Sequence, residues 1–279
     1  MTMTNVDTPS VVFFEGEPKG EIHSMTLSAC ISALMAAGET DRVNVIRLEH
    51  IKYTNNWLHE AILVELQEVD QAGVAVPVPR KAYALVDRDA DRSPAKKTSF
   101  SSSPSFSSKA RDSVKLSRDE ESFTTSSDQY EIRRYIEFAK HPLPFIKLLV
   151  AASTVTETKP EYNLVTAQCY WYAESVWDIV VLHLQEVWDD GLEKAADGIT
   201  GPARSLAREM FAKFEGAWTK LEAEIKKRRQ DQRRKQHGAA YTDGVMKGRE
   251  EAAQEKADLM RKNAALEARL MLLESQQGK

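Results

Sequence analysis

The chain has little cysteine, glycine or proline, and it has no long apolar run. Its 279 residues include 2 cysteines, 12 glycines and 10 prolines. Two cysteines far apart in sequence do not form the disulfide framework of a small secreted protein. No stretch reaches the length of a transmembrane helix, about 20 apolar residues, and the apolar stretch 25–37 follows acidic residues, unlike a signal peptide. These absences predict an intracellular, cytoplasmic protein without a transmembrane segment.

The chain also has no large excess of positive or negative charge. The 38 Lys and Arg residues and 42 Asp and Glu residues leave a formal net charge of -4, so the whole chain lacks the positive field of a polyanion binder. The basic run 226–235 is typical of a nuclear localisation signal or of a solvated helix surface. The Asn and Arg pattern of a basic leucine zipper is missing, so we expect no nucleic acid partner and keep a nuclear location as an alternative.

Cofactor and metal motifs are missing as well. The sequence has no glycine-rich loop with the spacing that cradles phosphate groups. Its histidines show no close metal-ligand spacing with cysteine. We therefore expect no cofactor and no bound metal.

The longest apolar segment, 162–185, predicts a buried helix. Asn163 or Thr166 can cap its start, and no Gly or Pro follows until after Trp188. Apolar residues recur along it at three- and four-residue steps: Cys169, Ala173, Val176, Val180 and Leu184. The rest of the chain can be arranged around this helix.

Cys169 has two interpretations. In the first turn of a helix, the partial positive charge of the helix end favours a thiolate. Free cysteine is also among the most buried residue types, so simple core packing explains the position equally well. Cys30 lies on the apolar stripe of a helix predicted from Ser24 or Thr26 to Ala37, and we interpret it as packing.

Alternating apolar residues predict a small antiparallel sheet in the first third of the chain. Its strands are Val43–Tyr53, Trp57–Leu66 and Lys81–Val86, and Val11–Phe14 is a further short strand. The predicted fold class is α+β, with this sheet packed on the buried helix.

The predicted domain covers residues 11–190 and follows a disordered tail, 1–10. Residues 87–128 are rich in Ser and in charge, which predicts a disordered insertion. After it, 130–140 and 145–152 are predicted to be helices.

A helical C-terminal extension is predicted from residue 203 onward. It consists of a long helix with a basic end, 203–237, a glycine-containing hinge beginning at Gly238, and a final helix, 245–279, that resembles a coiled coil. Leucines recur there by seven, at Leu259, Leu266 and Leu273. Asn263 lies at an alternate seam position, where a polar residue can fix the register of a paired helix. The extension, 203–279, is expected to bind a protein partner or a second copy.

The candidate catalytic residues are Cys169, His59 and a carboxylate. A cysteine attacks carbonyl carbon as a thiolate, and a neighbouring imidazole can take its proton. If the second and third predicted strands pair as a hairpin, Asp87 and Asp89 both come within reach of the ring, where either could orient it. Alternatively, His59 is a half-buried strand histidine with a structural role.

The two motifs together resemble the circularly permuted papain-like enzymes, which include the lecithin:retinol acyltransferase-like and NlpC-type proteins. The segment 168–173, QCYWYA, keeps the cysteine, an aromatic and a small residue of the acyltransferase-like motif, and also looks like a group of fungal proteins. It departs at Gln168 for Asn, Tyr170 for Glu and Trp171 for His. The histidine motif is similar to 59–64, HEAILV.

This resemblance implies a permuted papain-like fold over roughly 40–188. It also implies hydrolysis or acyl transfer on an amide or ester through a thioester, with Cys169 as nucleophile and His59 as base. The hypothesis from a different class is a non-catalytic scaffold that recruits a partner through 203–279.

Overall fold

The chain forms two compact units, Met1–Glu222 and Ala223–Lys279. The computed structural model describes residues 10–13, 18–54, 59–69, 78–90, 107–124, 129–138, 142–163, 168–187 and 202–277. Among these residues, no helix combines the length and the apolar character needed to cross a membrane. The first unit contains the sheet and its helices, and the second unit is helical over its described length.

The first unit is built on an antiparallel sheet. Its strands are β1 (His23–Thr26), β2 (Val43–Tyr53), β3 (Glu60–Glu68), β4 (Lys81–Ala90), β5 (Ser107–Ser117) and β6 (Tyr130–Glu137). They lie in the order β1-β5-β4-β3-β2-β6, and two short strands, β7 (Leu143–Pro144) and β8 (Glu161–Asn163), pair with β2 and β5. The α+β class and the predicted pairing of the strands now called β2, β3 and β4 are confirmed.

Helices complete the first unit. They are α1 (Leu27–Ala37), α2 (Phe145–Thr158), α3 (Gln168–Val187) and the beginning of α4 (Pro202–Gln277). Thr26 caps α1 by accepting a 3.2 Å hydrogen bond from the Ala29 N–H, and Gly38 ends it in the left-handed region, at φ 70. Cys30 is fully buried on this helix, in agreement with its interpretation as a packing residue.

The two faces of β3 and β4 have different coverings. On β4, Arg88 lies against two aromatic rings of α3, and side chains two apart on a strand share a face, so Val86 and its register partner Ile62 also face α3. Leu63 and Leu85 face the other side, in a smaller core closed by Phe123. Residues 59 and 87 share this second side by alternation.

The predicted disordered insertion, 87–128, is wrong where the structure describes it. β4 continues to Ala90, β5 pairs with it along its length, and Glu120–Phe123 is a 3-10 turn. Val114 and Leu116 are fully buried, and they alternate with polar residues that the composition emphasised. Residues 91–106 and 125–128 lie outside the described part.

The helix predicted for 130–140 is also wrong, because this segment forms β6. It pairs with the outer edge of β2, where unpaired backbone groups require hydrogen-bond partners. Pairing with a sheet edge therefore overrides a helical apolar pattern. The strand predicted at Val11–Phe14 is not formed at residues 11–13, which bend instead.

The predicted hinge in the C-terminal extension is wrong. α4 is helical through Gly238, Gly244 and Gly248. An isolated glycine costs only about 1 kcal/mol in a helix, and Thr242 adds a 3.0 Å hydrogen bond to the Gly238 carbonyl. The helix propensity of the surrounding residues outweighs the combined cost of the three glycines.

The start of the buried helix also differs from the predicted one. α3 begins at Gln168, and residues 161–163 belong to β8. The proposed cap Thr166 lies outside the described residues. Cys169 nevertheless occupies the first turn, as the capping argument requires.

The buried side chains of the central sheet should contribute more to the free energy of unfolding than the exposed ones. We expect Ile62→Ala, at a fully buried position, to lower the free energy of unfolding by about 2–5 kcal/mol, through lost burial and a cavity. Ile132→Ala on β6, where the side chain is 45% exposed, is the matched control and should cost less than about 1 kcal/mol. Urea denaturation measures both values, and equal losses would contradict this assignment of the core.

Candidate active site

Cys169 lies in the first turn of α3 and is 7% exposed. Its sulfur accepts hydrogen bonds from the backbone N–H groups of Tyr170 and Glu60. The first N–H groups of a helix have no intrahelical acceptor and carry partial positive charge. The start of α3 therefore surrounds the sulfur with donors that favour its anionic form.

His59 comes immediately before the first residue of β3. Its carbonyl accepts a 2.8 Å hydrogen bond from the Tyr53 N–H, and its ring lies 5.8 Å, between centroids, from the Tyr53 ring. The imidazole lies close enough to the Cys169 side chain for each group to shift the pKa of the other. The structure thus brings the two predicted residues together.

Asp87 lies beside the imidazole. Its Oδ2 is 3.9 Å from His59 Nε2, an ion-pair separation longer than a good hydrogen bond. Ser113 Oγ donates to Asp87 Oδ1 at 2.6 Å, and Lys115 Nζ donates to Oδ2 at 2.6 Å. Asp89, the other predicted carboxylate, is exposed, and no contact between it and His59 is found among the described residues. The structure therefore favours Asp87 as the partner of the ring.

The electrostatics of the three groups are coupled. Burial lowers the pKa of His59, but the neighbouring Asp87 carboxylate and Cys169 sulfur outweigh burial and raise it to about 10. Burial raises the pKa of Cys169, yet the His59 contact and the backbone donors outweigh that effect and the net shift lowers it. The pKa of Asp87 is also lowered, because His59, Lys115 and Ser113 overcome its burial. These shifts favour an imidazolium–thiolate pair beside a carboxylate.

A buried arginine of the sheet contacts the start of α3. Arg88, fully buried on β4, is 3.5 Å from an Asp112 oxygen. Its guanidinium lies 5.9 Å and 5.5 Å from the ring centroids of Trp171 and Tyr172 and donates to the Lys159 carbonyl. Arg88 adjoins Asp87 in sequence, and the two rings follow the cysteine. This contact therefore links the strand that carries Asp87 to the helix start that carries Cys169.

Sequence reasoning missed Ser113, Lys115 and Glu60 as parts of the site. Ser113 and Lys115 lie in the segment predicted to be disordered. Glu60 follows His59 in the histidine motif, where no role was predicted for it. The alternation of Ser113 and Lys115 with Val114 and Leu116 is the signal that predicts a strand with a polar face.

The described site offers groups for acid–base and nucleophilic chemistry. Among the described residues, no cluster of three His, Cys, Asp or Glu side chains is arranged to hold a metal ion. The sulfur can act as a nucleophile and the ring as a proton carrier, with Asp87 stabilising the charged ring.

Comparisons of the chain with protein-family models, with curated proteins and with solved structures found no match.

The lowered pKa of Cys169 predicts a specific pH profile for alkylation. Iodoacetamide should modify Cys169 in the native protein well below pH 8.5, and the rate should fall as pH falls through the lowered pKa. In the denatured chain the rate should fall near an ordinary thiol pKa of about 8.5. His59→Ala should raise the Cys169 pKa and slow the reaction at pH 7 by about tenfold for each unit of the shift.

Cys30 provides the internal control, measured in the same sample by peptide mass spectrometry. Burial, with a smaller contribution from Glu39, raises its pKa to about 12, so it should stay unmodified in the native state. Identical profiles for Cys169 in native and denatured protein would show that the site does not activate the thiol.

Proposed function

We propose that this protein is a cysteine-dependent hydrolase or acyltransferase that acts on an amide or ester through a thioester. The supporting observation is the pairing of His59 with Cys169 at the start of α3, with the Asp87 carboxylate 3.9 Å from the His59 ring. Cys169 is the nucleophile, His59 the acid–base group and Asp87 the orienting group.

In the first step the Cys169 thiolate attacks the carbonyl carbon of the substrate and forms a C–S bond. Negative charge develops on the carbonyl oxygen, and a backbone N–H group of the first turn of α3, where N–H groups lack intrahelical acceptors, would be the donor that stabilises it. The protonated His59 ring then gives its proton to the leaving nitrogen or oxygen as the bond to carbon breaks. The products are a thioester on Cys169 and a free amine or alcohol.

The second step releases the acyl group. The neutral His59 ring takes a proton from water, and the resulting hydroxide attacks the thioester carbon and expels the thiolate. If an amine or alcohol occupies the place of water, the same step transfers the acyl group. Asp87 stabilises the imidazolium that forms each time.

The order of the elements supports the permuted papain-like type. The histidine precedes a sheet strand and the cysteine follows much later at the start of a helix, as in the enzymes that the motifs resemble. Gln168, Tyr170 and Trp171 differ from the acyltransferase-like motif. Tyr170 is 47% exposed, whereas Trp171 contacts Arg88 and Lys159.

A reducing intracellular compartment, either cytoplasmic or nuclear, suits this function. Cys169 and Cys30 are both free, and the reaction requires an unoxidised thiolate. Cytosolic glutathione and thioredoxin keep thiols in this state.

Activity measurements test the proposal. The wild type should release p-nitrophenol from a p-nitrophenyl ester or an arylamine from an anilide, and mass spectrometry should find an acyl adduct on Cys169. Cys169→Ser should abolish the adduct. His59→Ala should lower kcat/KM by about 10²–10⁴, the usual contribution of a general acid–base group.

Cys30→Ala is the matched control, since Cys30 lies in α1 and takes no part in the mechanism; it should keep the wild-type rate. An adduct that survives Cys169→Ser, or the absence of any adduct from the wild type with both substrate types, would refute the proposed nucleophile.

A second candidate function is self-association through the C-terminal part of α4. Leu259 is 55% exposed and Met260 62% exposed in a single chain, so pairing would bury them. In a parallel, in-register pair with Leu259 at the seam, Lys262 of one copy lies opposite Glu267 of the other, and such pairs favour this orientation. We therefore propose a second copy of the chain as the partner.

Removing residues 245–279 should halve the molar mass measured by light scattering if this segment pairs. Asn263→Leu is the informative point variant, because a polar seam residue limits a coiled coil to one register and a leucine relaxes that limit. An unchanged mass after truncation would exclude pairing through this helix.

A further inference from the structure

A chain of polar side chains, buried at His50 and Glu60 and partly exposed at Arg134 and Glu174, crosses the strands beside the candidate active site. The Glu60 carboxylate lies 2.6 Å from His50 Nε2, and both residues are 2% exposed. Arg134 Nε donates to His50 Nδ1 at 3.2 Å, and an Arg134 guanidinium nitrogen is 2.6 Å from Glu174 Oε2. The chain therefore connects β3, β2, β6 and α3 in that order.

The direction of these hydrogen bonds is defined. Arginine is only a donor, so His50 Nδ1 accepts from Arg134 and the ring proton is on Nε2. Burial, followed by the charge of Arg134, lowers the pKa of His50 to about 4, which agrees with a neutral ring. His50 Nε2–H therefore donates to Glu60. Both nitrogens of the neutral ring are hydrogen-bonded, one to Arg134 and one to Glu60, and this fixes the orientation of the ring.

Both ends of the polar chain lie next to the proposed catalytic residues, His59 and Cys169. Glu60 follows His59 directly, and its backbone N–H donates to the Cys169 sulfur. Glu174 lies on α3, little more than one helical turn beyond Cys169. The Arg134 guanidinium also lies 4.5 Å from the centroid of the Trp177 ring, one turn further along α3.

Stability alone is a poor reason to bury these groups. A buried ion pair often contributes no more to stability than well-packed apolar side chains of similar size, because desolvation offsets the attraction. Its directional bonds do, however, fix the position of the segments that carry it. Here these segments are the start of β3 and the first turns of α3, which carry the proposed base and nucleophile.

We propose that Glu60 and His50 are positioning residues of the thiol site, which hold the Glu60 N–H and the His59 ring against the Cys169 sulfur. This inference rests on the function proposed above. Neither side chain touches the reacting atoms. Their effect is exerted through the backbone of β3 and, by way of Arg134 and Glu174, through α3.

The test is the pH profile of Cys169 alkylation by iodoacetamide in the full-length protein, read by peptide mass spectrometry. Glu60→Ala removes the acceptor of the His50 N–H, so the profile should move to higher pH and the rate at pH 6 should fall about tenfold for each pKa unit of the shift. Glu60→Gln keeps an acceptor oxygen and should restore a rate within about twofold of wild type.

Glu174→Gln covers the case in which Glu60→Ala does not fold. The Glu174 side chain is 31% exposed, so its replacement is compatible with folding, and it should move the profile in the same direction by a smaller amount. Glu65→Gln is the matched control. Glu65 lies on β3, like Glu60, and its replacement breaks a 2.7 Å ion pair with Lys81 of β4; it should leave the profile unchanged.

The outcomes separate this inference from the proposed function. A wild-type Cys169 that reacts at low pH, with Glu174→Gln and any folded Glu60→Ala unshifted, would overturn the positioning role and leave the thiol site intact. A lower melting temperature without a shifted profile would overturn it equally, because it would show a structural role alone. A native wild-type profile like that of the denatured chain would refute both proposals.

Discussion

The contact between the His59 ring and the Cys169 sulfur is the interaction on which the functional architecture depends. A partly buried imidazolium or thiolate alone would carry a large desolvation penalty. Side by side, each stabilises the charge of the other, which explains why their pKa values move in opposite directions, His59 upward and Cys169 downward. The contact forms only because the start of β3 and the first turn of α3 meet.

Side chains on both faces of the central strands stabilise this contact. On the side with Leu63 and Leu85, Asp87 lies beside the ring with Ser113 and Lys115 as its own partners. On the side covered by α3, Arg88 and the polar chain through Glu60 connect the sheet to the helix. Alternation along a strand places adjacent residues on opposite faces. Neighbours in sequence, 59 with 60 and 87 with 88, therefore act on the site from both sides.

Much of the local structure could be predicted from the sequence. Ser24 or Thr26 as the cap and Ala37 as the last residue predicted the extent of α1, and alternation predicted β2, β3 and β4, because these signals depend on residues close together in the chain. β5 and β6 were missed for a physical reason. The polar residues of β5 are stabilised by partners on β4, and β6 is a strand because the edge of β2 supplies its hydrogen bonds. Neither partner is visible in the segment itself.

The candidates for the site could be read from local sequence: a cysteine near the start of a predicted helix, a histidine within a predicted strand, and two aspartates just after the next predicted strand. Which of them meet depends on how the strands pair in the folded sheet. Strand register placed Asp87 rather than Asp89 beside the ring, and brought Ser113, Lys115 and His50 to groups distant in sequence. Register is a property of paired strands, and a slip of one residue moves every side chain to the opposite face. Contacts of this kind therefore exist only after the sheet has formed.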